Sequence, residues 1–262
     1  MKLKRVTLTG VDESVPQEAI VELAREFPFA EWGVLVKSSG FRIGNRYPGV
    51  NWIEALTRQS RGCTPPLNLA LHVCRGVVDL LFSEEREKLI QFFCEEPDHH
   101  NEYVTRIDHF EDVLSAFQRI QINFTASLFR EHYANVASAL KNLPGNHQFI
   151  IQILSAEADP DRENVAVGNM LRDEGVDVVF LHDVSGGHGI APDHWQTPVG
   201  NYCGYAGGLT PETLEESLEL ISIAAGETSI WIDMESGIRT EGRFDLGKAR
   251  RVLEITRRWI DR

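Results

Sequence analysis

The sequence predicts a (β/α)8 barrel, and three observations carry the prediction. Short β-rich runs recur eight times along the 262 residues. Helical patterns lie between them, and strand followed by helix, repeated, builds a parallel sheet. The runs "DVVFL" and "FIIQIL" lack polar alternation, as strands buried on both faces do. Eight such units fit the barrel, whose usual length is about 250 residues. A doubly wound open sheet is the alternative that the same alternation allows.

The first strand is Leu3–Thr9, in "MKLKRVTLTG". That opening has basic residues but lacks the long apolar region of a signal peptide. "PQEAIVELAREF" follows, with Pro16 suited to a helix start and Ile20, Leu23 and Phe27 at helical spacing. The second strand, Trp32–Lys37, leads to the helix "NWIEALTRQS". The third, Leu67–Val73, opens an enlarged unit. Arg75 to Gln118 holds more helix than one unit requires, in "SEEREKLIQFFCEE" and "FEDVLSAFQ", with "EPDHHNEY" as a loop between them. The remaining strands are Arg119–Phe124, Gln148–Leu154, Val176–His182, Tyr202–Ala206 and Ser229–Met234. The helices among and after them are "REHYANVASALKNL", stopped by Pro144-Gly145, then "PDRENVAVGNMLRDEG", "TPETLEESLELISIAAG" and "DLGKARRVLEITRRWI". No stretch has linker composition, so residues 1–262 read as one barrel domain.

The composition is that of an ordinary globular protein, 42% hydrophobic and 25% charged. A net charge of -13 argues against nucleic-acid partners, whose phosphate backbone requires a basic surface. No apolar run approaches the length of a membrane span, so no membrane association is expected. Cys63, Cys74, Cys94 and Cys203 are scattered, without a CxxC pair. They read as reduced thiols of a cytoplasmic protein. No cofactor is expected. His182, His188, Asp193 and His194 match no metal signature, so no metal is expected either.

In a barrel the chemistry sits in the loops that follow the strands. The seventh loop is "GYAGGLTPETL", with Thr210 a plausible N-cap and Pro211 at the first helical position. Gly207 and Gly208 therefore lie between a buried strand and a helix N-terminus, where free N–H groups can hold an anion. The eighth loop, "DMESGIRTEGRFD", places Ser236-Gly237 just past its strand. Phosphate sites in barrels are often built from these two loops, which predicts a phosphorylated small-molecule ligand. The sixth strand ends "FLHDVSGGHGIAPDHW", so Asp183 sits where a buried strand opens, a good place for a general acid or base. "KSSGFRIGNRYPGVNW", after the second strand, offers Arg42 and Arg46 for a carboxylate or phosphate. "ALHVCRG" offers His72 or Cys74, which either point into the site or pack within the barrel.

The second half of the chain resembles phosphoribosylanthranilate isomerase, a (β/α)8 barrel. That family carries an aspartate followed by "GGTG…DW"; this chain has Asp183 and then "GGHGIAPDHW". Its "AGGL" phosphate loop is matched by "AGGLTPETL", and its final "D-V-S-S-G-V-E" loop by "DMESGIRTEG". "S-P-R-Y-V" after the second strand is similar to "GNRYPG", which selects Arg46. The resemblance implies Asp183 as general acid. It implies Gly207, Gly208, Ser236 and Gly237 as the phosphate cup, and Arg46 as a substrate-binding residue facing a carboxylate; His188, in the "SGGHG" turn that can lie over a ligand, is a second substrate-binding candidate. Where the family has the cysteine general base, in "K-I-C-G-I", this chain has Thr9 in "TLTGV". A threonine hydroxyl is a far poorer proton acceptor than a thiol, which titrates near ~8.5. Cys203 or Cys74 would have to supply a replacement from another strand. The expectation is an isomerase-like or lyase-like protein acting on a phosphorylated metabolite; the alternative is a phosphate-binding barrel without turnover.

Overall fold

The structure, a computed structural model, describes residues 1–36, 46–74, 110–123, 133–155, 162–183 and 188–260. Eight parallel strands pair in chain order and close into a barrel: β1 (Lys2–Thr9), β2 (Ala30–Val36), β3 (Asn68–Val73), β4 (Arg119–Ile122), β5 (Gln148–Ile153), β6 (Val178–His182), β7 (Tyr202–Ala206) and β8 (Ser229–Met234). β1 pairs with both β2 and β8, so the sheet has no edge and the open-sheet alternative is excluded. β7 and β8 have the predicted bounds, and the other strands begin within two residues of theirs.

The described helices are α1 (Gln17–Glu26), α2 (Val50–Arg61), α3 (Phe110–Ser115), α4 (Tyr133–Lys141), α5 (Glu163–Asp173), α6 (Leu214–Ala225) and α7 (Leu246–Ile260). In α7, Ala249, Val252, Leu253, Thr256 and Trp259 recur at helical spacing and are buried, and the helix packs against β1. Burying a large aliphatic side chain this fully contributes about 1.5–3 kcal/mol. Gly168 lets α5 lie directly on β6, because a Cβ there would come 2.5 Å from Cζ of Phe180. α3 falls within the predicted "FEDVLSAFQ", whereas "SEEREKLIQFFCEE" lies outside the described residues.

One element starts later than its sequence suggests. The expected N-cap Thr210 lies ahead of α6, which begins at Leu214. The Thr210 and Thr213 hydroxyls each accept the other's backbone N–H at 3.3 Å. These side chains hold "TPET" as a separate turn, a known competition between short hydroxyl side chains and the helix ladder.

Side-chain alternation divides the core in two. Trp32, Val34, Leu69, Leu71, Val73, Phe180, Cys203, Ile230 and Ile232 join the layer beneath the helices. Ile150, Val179, Leu181 and Trp231 form a separate cluster inside the barrel, with Tyr202 and Ala206 against it. Gly204 makes room for it, since a Cβ there would come 2.6 Å from Cδ1 of Leu181 and closer still to the Trp231 ring.

A buried ionic group closes the end of the barrel away from the strand C-termini. Glu31 accepts from Arg5 Nη1 at 2.6 Å, from Thr7 Oγ1 at 2.8 Å and from Arg119 Nη1 at 3.0 Å. Burial alone pushes the Glu31 carboxyl up; the guanidinium groups of Arg119 and Arg5 outweigh it and hold the carboxyl below its ordinary value. Among the described residues no helix is long and apolar enough to cross a membrane.

Candidate functional site

Strand alternation turns a set of polar side chains toward the mouth of the barrel. Leu69, Leu71 and Val73 of β3 face the helices, so His72 faces inward. Trp231 of β8 faces inward, and so does Asp233 two residues later. Thr9, the last residue of β1, donates from Oγ1 to Asp233 Oδ1 at 2.7 Å across the seam that closes the barrel. Gly33 of β2 leaves space for that hydroxyl; a Cβ there would come 2.5 Å from it. The other carboxyl oxygen, Oδ2, lies 3.8 Å from His72 Nε2. That separation exceeds a hydrogen bond, and His72 Nε2 has no hydrogen-bond partner among the described residues.

All three groups are buried. Burial raises the Asp233 carboxyl, the Thr9 bond works against it, and the negative charges of Glu31 and Asp183 raise it further, while Arg119 lowers it. The result is a carboxyl pushed up to about 8. Burial acts on His72 in the opposite sense, and Arg119 adds to it against the pull of Glu31, so the imidazole falls to about 4. Each group is thus favoured in its neutral form at pH 7.

Asp183 stands just past β6 and is 5% exposed. Gln152 of β5 donates from Nε2 to its Oδ2 at 2.9 Å, which orients the carboxyl from the neighbouring strand. Asp183 is close enough for its charge to act on Asp233. The mouth therefore carries two buried carboxyl groups with different surroundings, an arrangement that separates acid from base roles.

The four cup residues come together. Gly207 and Gly208 adopt φ of +107° and +63°, in the left-handed region that favours glycine. A Cβ on Gly207 would come 2.8 Å from Ile190 O, and one on Gly208 would come 2.5 Å from Ala191 Cα. Gly237 packs as closely on Leu209, and Gly189 on Ser236. The loops after β6, β7 and β8 are knitted backbone to backbone, and that contact requires these glycines whether or not an anion binds.

The remaining predicted residues are more dispersed. Arg46 is half exposed, has φ of +62°, and donates from Nη1 to Glu235 Oε1 at 2.7 Å. His188 is exposed. Ser185, Gly186, Gly187 and Arg42 lie outside the described residues. The segment beyond His188 is anchored instead by His182 Nε2 on Thr197 O at 3.0 Å, by the Tyr205 hydroxyl donating to Gln196 O at 2.8 Å, and by Trp195 edge-on to Tyr205.

The two cysteine alternatives lie in different places. Cys203 joins the layer beneath the helices, away from the mouth, and burial pushes its thiol up to about 11. Cys74 lies just past β3 and interacts with the Tyr47 hydroxyl. Among the described residues no group of three or more histidine, cysteine or acidic side chains is placed to hold a metal ion.

Asp233 is the residue that the sequence reading quoted but gave no role. The one available signal, a single acidic residue in the strand "SIWIDM" on the same face as Trp231, carries no role until β1 closes against β8.

No protein-family model and no curated sequence matches the chain. Solved structures do. TrpF from Jonesia denitrificans is 14% identical, with a TM-score of 0.54 and 97% of each chain covered. N-(5'-phosphoribosyl)anthranilate isomerase from Pyrococcus furiosus is 15% identical, with a TM-score of 0.52, covering 97% of this chain and 98% of that one. A truncated 3-deoxy-D-arabino-heptulosonate 7-phosphate synthase from Thermotoga maritima is 12% identical, with a TM-score of 0.54, covering 99% and 87%. At these identities the likeness shows the barrel fold, which hosts many chemistries.

Proposed function

We propose that this barrel binds a small phosphorylated metabolite at its mouth and carries out acid–base chemistry on it, of the isomerase or lyase type, with Asp183 as general acid. The observation that carries this reading is Asp183 itself: a buried carboxyl, oriented by Gln152, at the opening of β6 beside the loops of β7 and β8. In the proposal the backbone of Gly207, Gly208, Ser236 and Gly237 receives the phosphate, and Asp183 delivers a proton to the substrate. The names of two structural neighbours, an isomerase and a synthase of phosphorylated compounds, support the ligand class.

Thermal unfolding with inorganic phosphate and with sugar phosphates tests the reading. A ligand at one hundred times its Kd stabilises the native state by about 2.7 kcal/mol. Ser236→Asp, which adds a like charge at an exposed position, should remove that stabilisation. Asp183→Asn should keep it while abolishing turnover. No stabilisation by any phosphate compound overturns the reading.

A second reading, phosphate binding without turnover, is favoured by Thr9 at the base position together with the outward-facing Cys203. Stabilisation without conversion of any stabilising compound would select it. On either reading, the phosphoribosylanthranilate isomerase reaction is expected to run at little or no rate.

A further inference from the structure

Proton transfer in two directions needs an acceptor as well as a donor. We propose that Glu235 is the proton acceptor of this site, and that its substrate is a phosphorylated hydroxy-carbonyl compound. The inference rests on the acid–base reading of the mouth and names the group that reading leaves open.

β1 and β8 run parallel with Leu8 level with Met234, so the next residues, Thr9 and Glu235, stand side by side where the two strands end. From there the Glu235 side chain crosses the end of β1. Its Cγ lies 3.4 Å from the point that a Cβ on Gly10 would occupy. Arg46, from the loop after β2, donates to Oε1 at 2.7 Å and fixes the carboxylate in that position. Oε2 has no hydrogen-bond partner among the described residues, and the side chain is 21% exposed, so a ligand reaches it from solvent.

The neighbouring acids are engaged. Asp12 is held by Arg239 at 3.0 Å and by the Ser14 hydroxyl. Asp233 is bonded to Thr9 and faces the enclosed His72; pushed up to about 8, it keeps its proton at pH 7.

The chain around Glu235 defines the ligand. Ser236 and Gly237, the β8 half of the cup, follow it directly, and consecutive Cα atoms are about 3.8 Å apart. A phosphate seated on that backbone brings the first carbons of its compound beside Glu235. Asp183 stands past β6, with β7 and Gly207-Gly208 between the two acids, so donor and acceptor flank the cup. The C–H bond that a carboxylate breaks in such a compound is one beside a carbonyl group, which gives the ligand class.

The C–H bond beside the carbonyl breaks and its proton passes to Glu235 Oε2. The electron pair forms the carbon–carbon double bond of an enediol as the carbonyl oxygen takes a proton from Asp183. Glu235 then gives its proton to the former carbonyl carbon, and the other enediol hydroxyl returns one to Asp183. Both acids end as they began, and the composition of the compound is unchanged, as isomerisation requires. Because Glu235 is open to solvent, the proton it carries exchanges with water before it is returned.

The test follows that exchange. Dihydroxyacetone phosphate and the aldopentose and ketopentose phosphates are screened for thermal stabilisation of the protein. Each stabilising compound is then incubated with it in D2O, and deuterium uptake beside the carbonyl is followed by NMR. The wild type should catalyse uptake. Glu235→Gln keeps an oxygen for Arg46, so the same compound should stabilise it as strongly, with uptake lowered about 100-fold or more. Glu235→Asp retains a carboxylate and should exceed Glu235→Gln in uptake. Formate added to Glu235→Ala should restore part of the uptake, since it fits beside Arg46 where the side chain is removed. A glutamate that merely held Arg46 would leave uptake intact in Glu235→Gln. Uptake unaffected by Glu235→Gln, or stabilisation of the wild type without uptake, overturns the inference and leaves the phosphate reading in place. No stabilisation by these compounds or by inorganic phosphate fails the earlier reading, and the inference with it.

Discussion

The guanidinium of Arg119 lies 4.0 Å over the ring of Trp231 inside the barrel, while its Nη1 donates to Glu31. β2, β4 and β8 are thereby joined through the interior as well as through their neighbours. Removing one partner of a buried ion pair leaves an uncompensated charge, which costs about 3–5 kcal/mol. Glu31→Ala is therefore expected to lower the unfolding free energy by that amount, read by urea denaturation. Arg5, partly exposed, retains access to water, so Arg5→Ala should cost far less.

The Asp233–His72 pair predicts how stability depends on pH. Asp233 titrates at 3.8 when unperturbed and at about 8 when folded. The stability it contributes is full below pH 3.8 and is lost as pH rises through about 8. His72 falls from 6.5 to about 4, so its contribution is present above pH 6.5 and lost as pH falls toward 4. Below pH 6.5 the two slopes oppose each other, and between 6.5 and 8 only Asp233 acts. In that window the wild type should lose stability relative to Asp233→Asn by up to about 1.4 kcal/mol per pH unit. Parallel denaturation curves at pH 6.5, 7.2 and 8 would contradict the assignment of Asp233.

The strands were legible because each is a compact β-rich run, and "TPVGNYCGYA" and "TSIWIDM" show where the last two begin. Asp183 was legible because a strand visibly ends at it. Asp233 was not, since one acid inside an apolar strand gains meaning only when β1 closes against β8 and delivers Thr9, 224 residues away in sequence. The Glu31–Arg119 bond spans 88 residues and depends on barrel closure in the same way. Gly207 and Gly208 were read as an anion-holding turn, whereas the neighbour that packs on them, Ile190–Ala191, belongs to a loop whose path the sequence does not reveal.

Gly204 tests the packing of the barrel interior. Its φ lies outside the left-handed region, so alanine meets no backbone penalty there, only the Trp231 ring and Cδ1 of Leu181. Overpacking of this kind costs about 1–3 kcal/mol. Gly204→Ala should be destabilised by that amount, and Gly204→Ala with Leu181→Ala should recover part of it. A change near zero would mean that Trp231 has room to move.

Glu235 bears on ligand choice. It follows β8 directly and holds Arg46 by an ion pair at 2.7 Å, with both side chains partly exposed. A pair this accessible to water contributes at most about 1 kcal/mol, so Glu235→Ala should leave the unfolding free energy nearly unchanged. Its effect on binding should be larger. In the wild type, a ligand carboxylate has to displace Glu235 before it can reach Arg46. Without Glu235 the guanidinium is available for a bidentate contact. Anthranilate and its phosphorylated derivatives should therefore stabilise Glu235→Ala more than wild type, whereas uncarboxylated sugar phosphates should stabilise both equally. Equal responses to carboxylated and uncarboxylated compounds would show that Arg46 does not face the ligand.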